Sequence, residues 1–272
     1  MLGDAIAAEA FRVRRAGGVL FWGFLAVPLS ILLFNLLLDT WIRLHLHMPV
    51  ALDIGHQMVS GVGLTQSAFF QVFYAAAAAT LFAADYRWET WRLITPRNSR
   101  VNLILARFIV YGAATAVSLV LLAVVALVQS LYAAAIGSVV LTPPQGPFVL
   151  PLLGTAVTGW CELMVLGGIV AVIAIAFRAA TGALMTAMVF SFGQWIAMAL
   201  IHPWEATPGW YAALPRLSAY VLRAFVTGQD LAPGIGANAA QAGLAAVCLL
   251  GWMVLVGACA LGLFQAQELA RE

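Results

Sequence analysis

The most chemically distinctive stretch of the chain is a charged and aromatic segment that separates two long apolar runs. The sequence from residue 82 to residue 108 reads FAADYRWETWRLITPRNSRVNLILARF. Its charged and indole side chains are crowded together: Asp85, Arg87, Trp88, Glu89, Trp91 and Arg92. Trp and Arg are among the side chains that most often dominate protein–protein contacts. The segment therefore predicts a docking site for a partner protein, with a membrane-interface aromatic belt as the alternative.

A second candidate is Glu162, a carboxylate in the middle of the apolar run GWCELMV. A charged side chain at the centre of a bilayer costs about 2.5–3.5 kcal/mol on insertion scales. Glu162 is therefore expected to face protein or water, on a substrate route or at a dimer seam. The alternative is a neutral structural carboxyl that bonds to a Thr or Gln side chain, for example Thr158 or Gln194. Glycines along the same run predict close approach of other backbones, and they are Gly154, Gly159, Gly167 and Gly168.

Metal binding and catalysis have weaker signals. His45, His47 and His56 lie near Asp53, and imidazole is a ligand that suits several transition metals. Histidines in loops are more often simply polar, so their role stays open. The sequence contains no GxSxG or HExxH motif and no GxxxxGK[ST] phosphate-binding loop. We therefore expect a chain that is not itself an enzyme and that holds no metal or cofactor of its own.

The residues that must position these groups are overwhelmingly apolar. Of 272 residues, 64% are hydrophobic and only 9% are charged, and the mean hydropathy is +0.99. A soluble domain carries about 25% charged residues, so most of the surface of this chain must face lipid. The net charge of +2 is too small to indicate a nucleic-acid partner.

Six apolar runs are long enough to cross a membrane as helices, since a span needs about 20 residues. They cover residues 18–38, 67–84, 101–129, 149–177, 180–201 and 239–264. They do not alternate as the strands of a β-barrel would, so the sequence predicts one all-α, polytopic membrane domain over residues 1–272. Residues 39–66 and 202–238 are expected to be outer segments, the second with a short helix at or dipping into the interface. Residues 4–16 are basic and amphipathic, which predicts a helix in the inner interface.

The distribution of arginine predicts the orientation. Every basic residue in the chain is an arginine, and with both termini in the cytoplasm only Arg43, Arg216 and Arg223 lie outside. Cytoplasmic loops of membrane proteins carry the excess of positive charge. We therefore expect a multi-pass protein of the bacterial cytoplasmic (inner) membrane with both termini inside.

The segment 85–100 resembles the cytoplasmic loop of ABC-2 type permeases, the membrane subunits of a class of ATP-binding-cassette exporters. That loop has an acidic residue after the second span, a Gly-Thr pair, a Pro-x-Ser-Arg motif and a later basic residue. The corresponding residues here are Asp85, Thr90, Pro96, Ser99, Arg100 and Arg107. Glu89 stands where the family has glycine, and it predicts a more regular coupling helix. The six-span plan with its N-terminal amphipathic helix resembles the family over nearly the whole chain.

The resemblance implies a function and partners. In the family this loop docks on a separate ATPase subunit, so the implied interface comprises Asp85, Arg87, Trp88, Glu89, Thr90, Trp91, Arg92, Pro96, Ser99 and Arg100. ATP and Mg²⁺ would bind to that ATPase. A second copy of the permease would complete a homodimer that exports its substrate, and membrane lipid would surround the dimer. An alternative is an ABC-2 type subunit that transmits ATPase strokes to the maturation of a periplasmic enzyme. An ion-coupled secondary transporter is disfavoured, because no pair of related halves is visible.

Overall fold

Long apolar helices dominate the structure, as the composition requires. The computed structural model describes residues 2–45, 50–87, 99–144, 146–201, 203 and 206–267, without the side chains of Val50, Asp85 and Arg87. It is 85% helical, which confirms the all-α class. In the described part of the chain, five helices are long and apolar enough to cross a membrane, or six if one bent pair counts as a span. The fold is consistent with a membrane protein.

The described residues contain ten helices and four short strands. The helices are α1 Leu2–Arg15, α2 Gly17–His45, α3 Ile54–Gln66, α4 Ala68–Arg87, α5 Arg100–Ala135, α6 Val149–Phe177, α7 Ala180–Leu200, α8 Pro208–Ala213, α9 Pro215–Thr227 and α10 Ala239–Ala266. The strands are β1 Val50–Asp53, β2 Val139–Thr142, β3 Asp230–Ala232 and β4 Ile235–Gly236. β1 pairs with β2 in parallel, and β3 pairs with β4 in antiparallel fashion.

α6 is the central helix of the bundle, and its glycines explain why. It packs against α3, α4, α5, α7, α9 and α10. A methyl group at Gly154 would lie 2.2 Å from Val226 Cγ1 of α9, and one at Gly168 would lie 2.2 Å from Val256 Cγ2 of α10. Gly167 in the same way admits Tyr111 of α5. The groups that approach these glycines are side chains of other helices of the same chain, whereas the sequence predicted backbones.

α2 contains a π-helical turn at Phe21–Leu25. Such a turn releases a backbone carbonyl from the helical ladder, and that carbonyl needs a partner inside an apolar bundle. The Ser118 hydroxyl of α5 donates to Phe24 O at 2.6 Å, and the Tyr74 hydroxyl of α4 lies 2.8 Å from the same Ser118 oxygen. Polar side chains of α4 and α5 thereby fix α2 to the core.

The bent pair is formed by α3 and α4, which meet at 62°. The sequence predicts a span at residues 67–84 and an outer loop at residues 39–66. Instead, α2 continues to His45, and α3 fills most of the remaining segment. Asp53 caps α3 by accepting a hydrogen bond from His56 N at 3.0 Å. Ser67 then adopts an extended conformation, with ψ of 128°, which ends the helix and creates the bend.

The bundle has two different ends. At one end, here called the α1 end, α1 packs against α5 close to where α4 finishes. At the other, here called the ribbon end, β1 and β2 form a parallel ribbon beside α3 and the end of α5. With 36 residues, α5 is about 54 Å long, which exceeds the hydrocarbon thickness of about 30 Å. It therefore connects the two ends.

α9 is the short helix that the sequence predicted within residues 202–238. It packs between α6 and α10. Leu217 and Val221 are fully buried, and Arg216 is only 7% exposed. α9 is thus part of the bundle core and does not rest on the surface of the bundle.

Candidate functional site

The predicted ATPase interface begins and finishes at the α1 end. Asp85 and Arg87 belong to the last turn of α4, whereas Ser99 and Arg100 open α5. The residues between them, including Trp88, Glu89, Thr90, Trp91, Arg92 and Pro96, lie outside the described residues. The prediction of a regular coupling helix falls in that same stretch. The structure therefore describes the two anchors of the segment.

Ser99 and Arg100 both act within the chain. The Ser99 hydroxyl caps α5 by accepting a hydrogen bond from Asn102 N at 3.3 Å. Arg100 Nη1 donates to the carbonyls of Gln265 and Gln267, at 2.9 and 2.7 Å. These carbonyls belong to the C-terminal end of α10, where a cation is favourable. The second anchor of the segment is thereby tied to the last helix.

The first anchor is tied to the same point. The Tyr86 hydroxyl donates to Gln267 Oε1 at 2.8 Å, and Gln267 Nε2 donates to Ile175 O at 2.6 Å. Burial raises the pKa of Tyr86 to about 12, although the Gln267 bond and Arg178 act in the opposite direction. The phenol therefore stays protonated at physiological pH and keeps its donor role. Gln267 joins the ends of α4, α6 and α10 beside the segment.

Arg107 of α5 links α1 to α4, because it forms a buried ion pair with Glu9 of α1 and donates to a backbone carbonyl of α4. The Arg107 side chain is fully buried; its Nε donates to Glu9 Oε1 at 2.9 Å, and its Nη1 donates to Phe82 O at 3.2 Å. Glu9 also pairs with Arg12 at 3.0 Å, and Arg12 donates to Leu81 O at 3.5 Å. Both carbonyl acceptors lie in the last turns of α4. The amphipathic helix is therefore attached to the helix that leads into the predicted interface.

Glu162 lies in a polar network inside the bundle. It is 6% exposed, and its Oε1 accepts a hydrogen bond from Gln71 Nε2 of α4 at 2.6 Å. Gln71 Oε1 accepts in turn from the Ser191 hydroxyl of α7 at 2.5 Å. Glu162 therefore faces other helices of the same chain.

The predicted alternative for Glu162 is right in the type of its partner, which is a glutamine, Gln71 of α4, and wrong in its two examples. Thr158 donates to carbonyls of its own helix, those of Gly154 and Thr155. Gln194 Oε1 accepts from Arg216 N at 2.9 Å. The real partner comes from a helix that is distant in sequence.

Two arginines of α9 cap the C-terminal end of α3. Arg216 Nη2 donates to Gln66 O, and Arg223 Nη1 donates to Gly63 O at 3.1 Å. The last carbonyls of a helix lack partners within the helix and carry partial negative charge. Both arginines also act electrostatically on Glu162. The bend between α3 and α4 is thus stabilised by the same charges that surround the buried carboxylate.

Several buried polar atoms in this region have no hydrogen-bond partner among the described residues. They are Glu162 Oε2, Gln66 Nε2 and Arg216 Nη1. An unpaired buried polar group costs about 1–3 kcal/mol, and such costs are concentrated at functional sites. The network thus offers one acceptor and two donors in the interior of an apolar bundle.

The histidines do not assemble a metal site in the described part of the chain. His45 Nδ1 lies 2.9 Å from Trp41 O and its ring stacks on the Trp41 indole. His56 Nε2 lies 3.4 Å from the Ser60 hydroxyl. His47 lies outside the described residues. No group of three His, Cys, Asp or Glu that could hold a metal occurs among the residues with described positions.

Five members of the polar network are not indicated as such by the sequence: Gln66, Gln71, Ser191, Arg216 and Arg223. The two arginines did leave a signal, because residues seven apart lie on the same face of a helix. An amphipathic helix with two arginines on one face, set among apolar neighbours, needs buried acceptors. Here those acceptors are the carbonyls of α3.

Comparison with known proteins gives no match: no family profile, no curated protein and no solved structure resembles this chain significantly. The function is therefore argued from residues and geometry. Chemically, the chain offers a buried ion pair at the α1 end and a polar network in its interior. α4 connects them, since it carries both Phe82 and Gln71.

Proposed function

We propose that the chain is the permease subunit of an ABC-2 type exporter, paired with a second permease copy and driven by separate ATPase subunits. One observation supports this most strongly. The buried Arg107 attaches the amphipathic α1 to the last turns of α4, directly before the segment that resembles a coupling loop. A force on that segment would reach α1, α4 and α5 together.

α4 provides a route for the movement. Phe82, at the Arg107 contact, and Gln71, at the Glu162 contact, lie on the same helix, about 16 Å apart at 1.5 Å per residue. A helix moves as a stiff element, so a displacement at the α1 end changes the Gln71–Glu162 contact. ATP and Mg²⁺ bind the partner subunit in this scheme, and this chain supplies the movement and the path.

The interior network supplies the polar part of the path. Glu162 Oε2 and Arg216 Nη1 lack partners among the described residues, so they are available to water or cargo when α4 moves. Ion-binding and polar groups inside membranes cluster where a substrate passes. The proposed route therefore runs beside α3, α6 and α9.

Affinity purification of the wild-type chain and of a variant that lacks both tryptophans of the segment tests the proposal. The tagged wild-type chain, purified from its native membrane, should retain an ATPase subunit that mass spectrometry identifies by its GxxxxGK[ST] loop. Trp88→Ala combined with Trp91→Ala should lose that ATPase while membrane insertion persists, since Trp side chains dominate docking contacts.

The matched control removes two exposed tryptophans that lie elsewhere, Trp41 and Trp210, which are 53% and 44% exposed. This variant should retain the ATPase. A complex that survives the Trp88 and Trp91 substitutions, or one that is lost equally in the control, would contradict the assignment of the segment.

A further inference from the structure

Three cavities meet around Leu64, at the end of α3. The first has a volume of about 260 Å³ and is lined by Ser60, Gly63, Arg223, Thr227 and Gln229 besides Leu64. The second, of about 210 Å³, extends to Asn35 and Gln129. The third, of about 390 Å³, is lined by Phe34, Phe69 and Phe70. Leu64 lines all three, so they adjoin one another around this side chain, and together they are called the groove.

The groove changes character along its length. Its first part presents a guanidinium, two hydroxyls and an amide, from Arg223, Ser60, Thr227 and Gln229. Its third part presents phenyl rings and Ile31. A ligand that fills it must therefore be polar at one end and apolar at the other. Cavities of this size, apolar with a few placed polar groups, are typical of small-molecule sites.

Arg223 is the charged residue that lines the polar part. Its Nη1 donates to Gly63 O, and its other N–H groups have no hydrogen-bond partner among the described residues. A guanidinium presents its donors in a planar fork that suits phosphate and carboxylate oxygens. The polar part of the groove therefore favours an anion at Arg223. The Asp53 carboxylate, which caps α3 through His56 N, lies in an adjoining cavity and not in the groove.

We propose that this groove binds an amphiphile with one anionic head group and one apolar chain, the head at Arg223 and the chain against Phe34 and Phe69. Binding of this amphiphile in the groove does not depend on the proposed function. Its identification as the exported cargo does rest on that function. The groove opens beside α3, whose end is held by Arg216 and Arg223. Movement of α4 relative to α3 would therefore alter the groove.

Photoaffinity labelling of the purified full chain in neutral detergent tests the site. The probe is a lysophosphatidic acid with a diazirine in its acyl chain, and its neutral counterpart is a monoacylglycerol with the same chain. We expect the phosphate probe to label peptides that contain Phe34 or Phe69. Arg223→Gln should reduce its apparent affinity by roughly tenfold or more, because a charge-assisted hydrogen bond is lost, and Arg223→Lys should retain most of it.

Two further variants make the result specific. Leu64→Trp should block labelling by both probes, because it fills the junction of the cavities. Arg43→Gln removes an exposed arginine of α2 that lies outside the groove, and it should change nothing. Unchanged labelling in Arg223→Gln and in Leu64→Trp, with unaltered thermal unfolding, would overturn the proposal.

A competition arm separates a lipid head group from a free anion. Inorganic phosphate at millimolar concentration should fail to displace the probe, since the chain contributes much of the binding. Displacement by phosphate alone would overturn the amphiphile and leave only an anion site. All these measurements omit the ATPase. If the wild-type chain is not labelled but retains an ATPase in the affinity purification, the groove alone is contradicted. If it is labelled but retains no ATPase, the exporter alone is contradicted.

Discussion

At the scale of single residues, Glu162 is the charged group at the centre of the polar network inside the bundle. One of its oxygens accepts from Gln71, and the other has no partner among the described residues. Arg216 and Arg223 act on it electrostatically from α9, although no ion pair at contact distance forms between these described side chains. A buried carboxylate with cations nearby, but not in contact, has room to gain a closer partner when helices move. We infer that its charge, and not only its shape, is used.

The prediction at this scale compares two substitutions of Glu162 in the assembled transporter. Glu162→Gln preserves size and hydrogen bonding but removes the charge, whereas Glu162→Leu removes both. We expect both to lower ATP-dependent transport of the lysophosphatidic acid probe in reconstituted vesicles at least about tenfold, because a charge interaction of only about 1.4 kcal/mol already accounts for that factor.

Thr158→Ala is the control, since the Thr158 hydroxyl bonds only within its own helix, and it should transport normally. Retained transport in Glu162→Gln together with loss in Glu162→Leu would show a neutral hydrogen-bonding carboxyl instead. Normal transport in both, at equal expression, would remove Glu162 from the path.

The sequence could predict that Glu162 faces protein or water. The free-energy cost of inserting a carboxylate depends on its depth in the bilayer, and the position of Glu162 in the middle of an apolar run indicates that depth. The position of its partner could not be predicted, because Gln71 lies 91 positions away and only the packing of α4 on α6 brings it near. The predicted type of partner, a Thr or Gln, agrees with Gln71, whereas the examples Thr158 and Gln194 do not bond to Glu162. Long-range polar contacts are decided by helix rotation, which single-sequence periodicity does not fix.

At the scale of elements, Arg107 of α5 joins α1 through its ion pair with Glu9, and it donates to α4 at Phe82 O. Removal of one member of a buried ion pair typically costs about 3–5 kcal/mol, since the other charge is left uncompensated. Removal of both members costs much less when apolar side chains fill the space. The contact between α1 and α5 should therefore show strong coupling.

A double-mutant cycle on Glu9 and Arg107 measures this coupling. Arg107→Met should lower the thermal unfolding temperature of the detergent-solubilised protein more than Glu9→Met combined with Arg107→Met does. Arg14, which is exposed on α1, gives the control Arg14→Met, and this variant should unfold like the wild type. Strictly additive effects of the Glu9 and Arg107 substitutions would show that the pair does not join the two helices.

The long apolar helices could be predicted from the sequence, because about 20 apolar residues in a row have few alternatives to a spanning helix. α3 could not, since its residues mix glycine with polar side chains and depend on Asp53, Arg216 and Arg223 for their caps. The ribbon of β1 and β2 was missed for a similar reason. Its strands have four residues each, and parallel pairing depends on distant partners.

At the scale of the whole molecule, the two ends carry different chemistry. The α1 end has Arg12, Arg14, Arg15, Arg100, Arg107 and Arg178 among its described residues. Arg216 and Arg223 of α9 lie between the two ends, where they are engaged by α3. The orientation predicted from the sequence places the arginine-rich end in the cytoplasm.

Cysteine accessibility tests the orientation. In a background without Cys161, Cys248 and Cys259, single cysteines at residue 3 or residue 270 should resist a membrane-impermeant maleimide added outside intact cells. A cysteine at Gly146, an exposed residue near the ribbon, should react under the same conditions. Labelling at residue 3 or 270, with protection at 146, would show the opposite orientation and would place the predicted ATPase interface outside the cytoplasm.

The central claim is that an ATPase drives this chain through the segment between α4 and α5. The most direct measurement places a benzophenone amino acid at Trp91 and, in a separate protein, at Trp210, and irradiates each purified permease–ATPase complex during ATP hydrolysis. We predict a covalent product with the ATPase from position 91 and none from position 210. A product from position 210, or none from position 91 in a complex that hydrolyses ATP, would contradict the account.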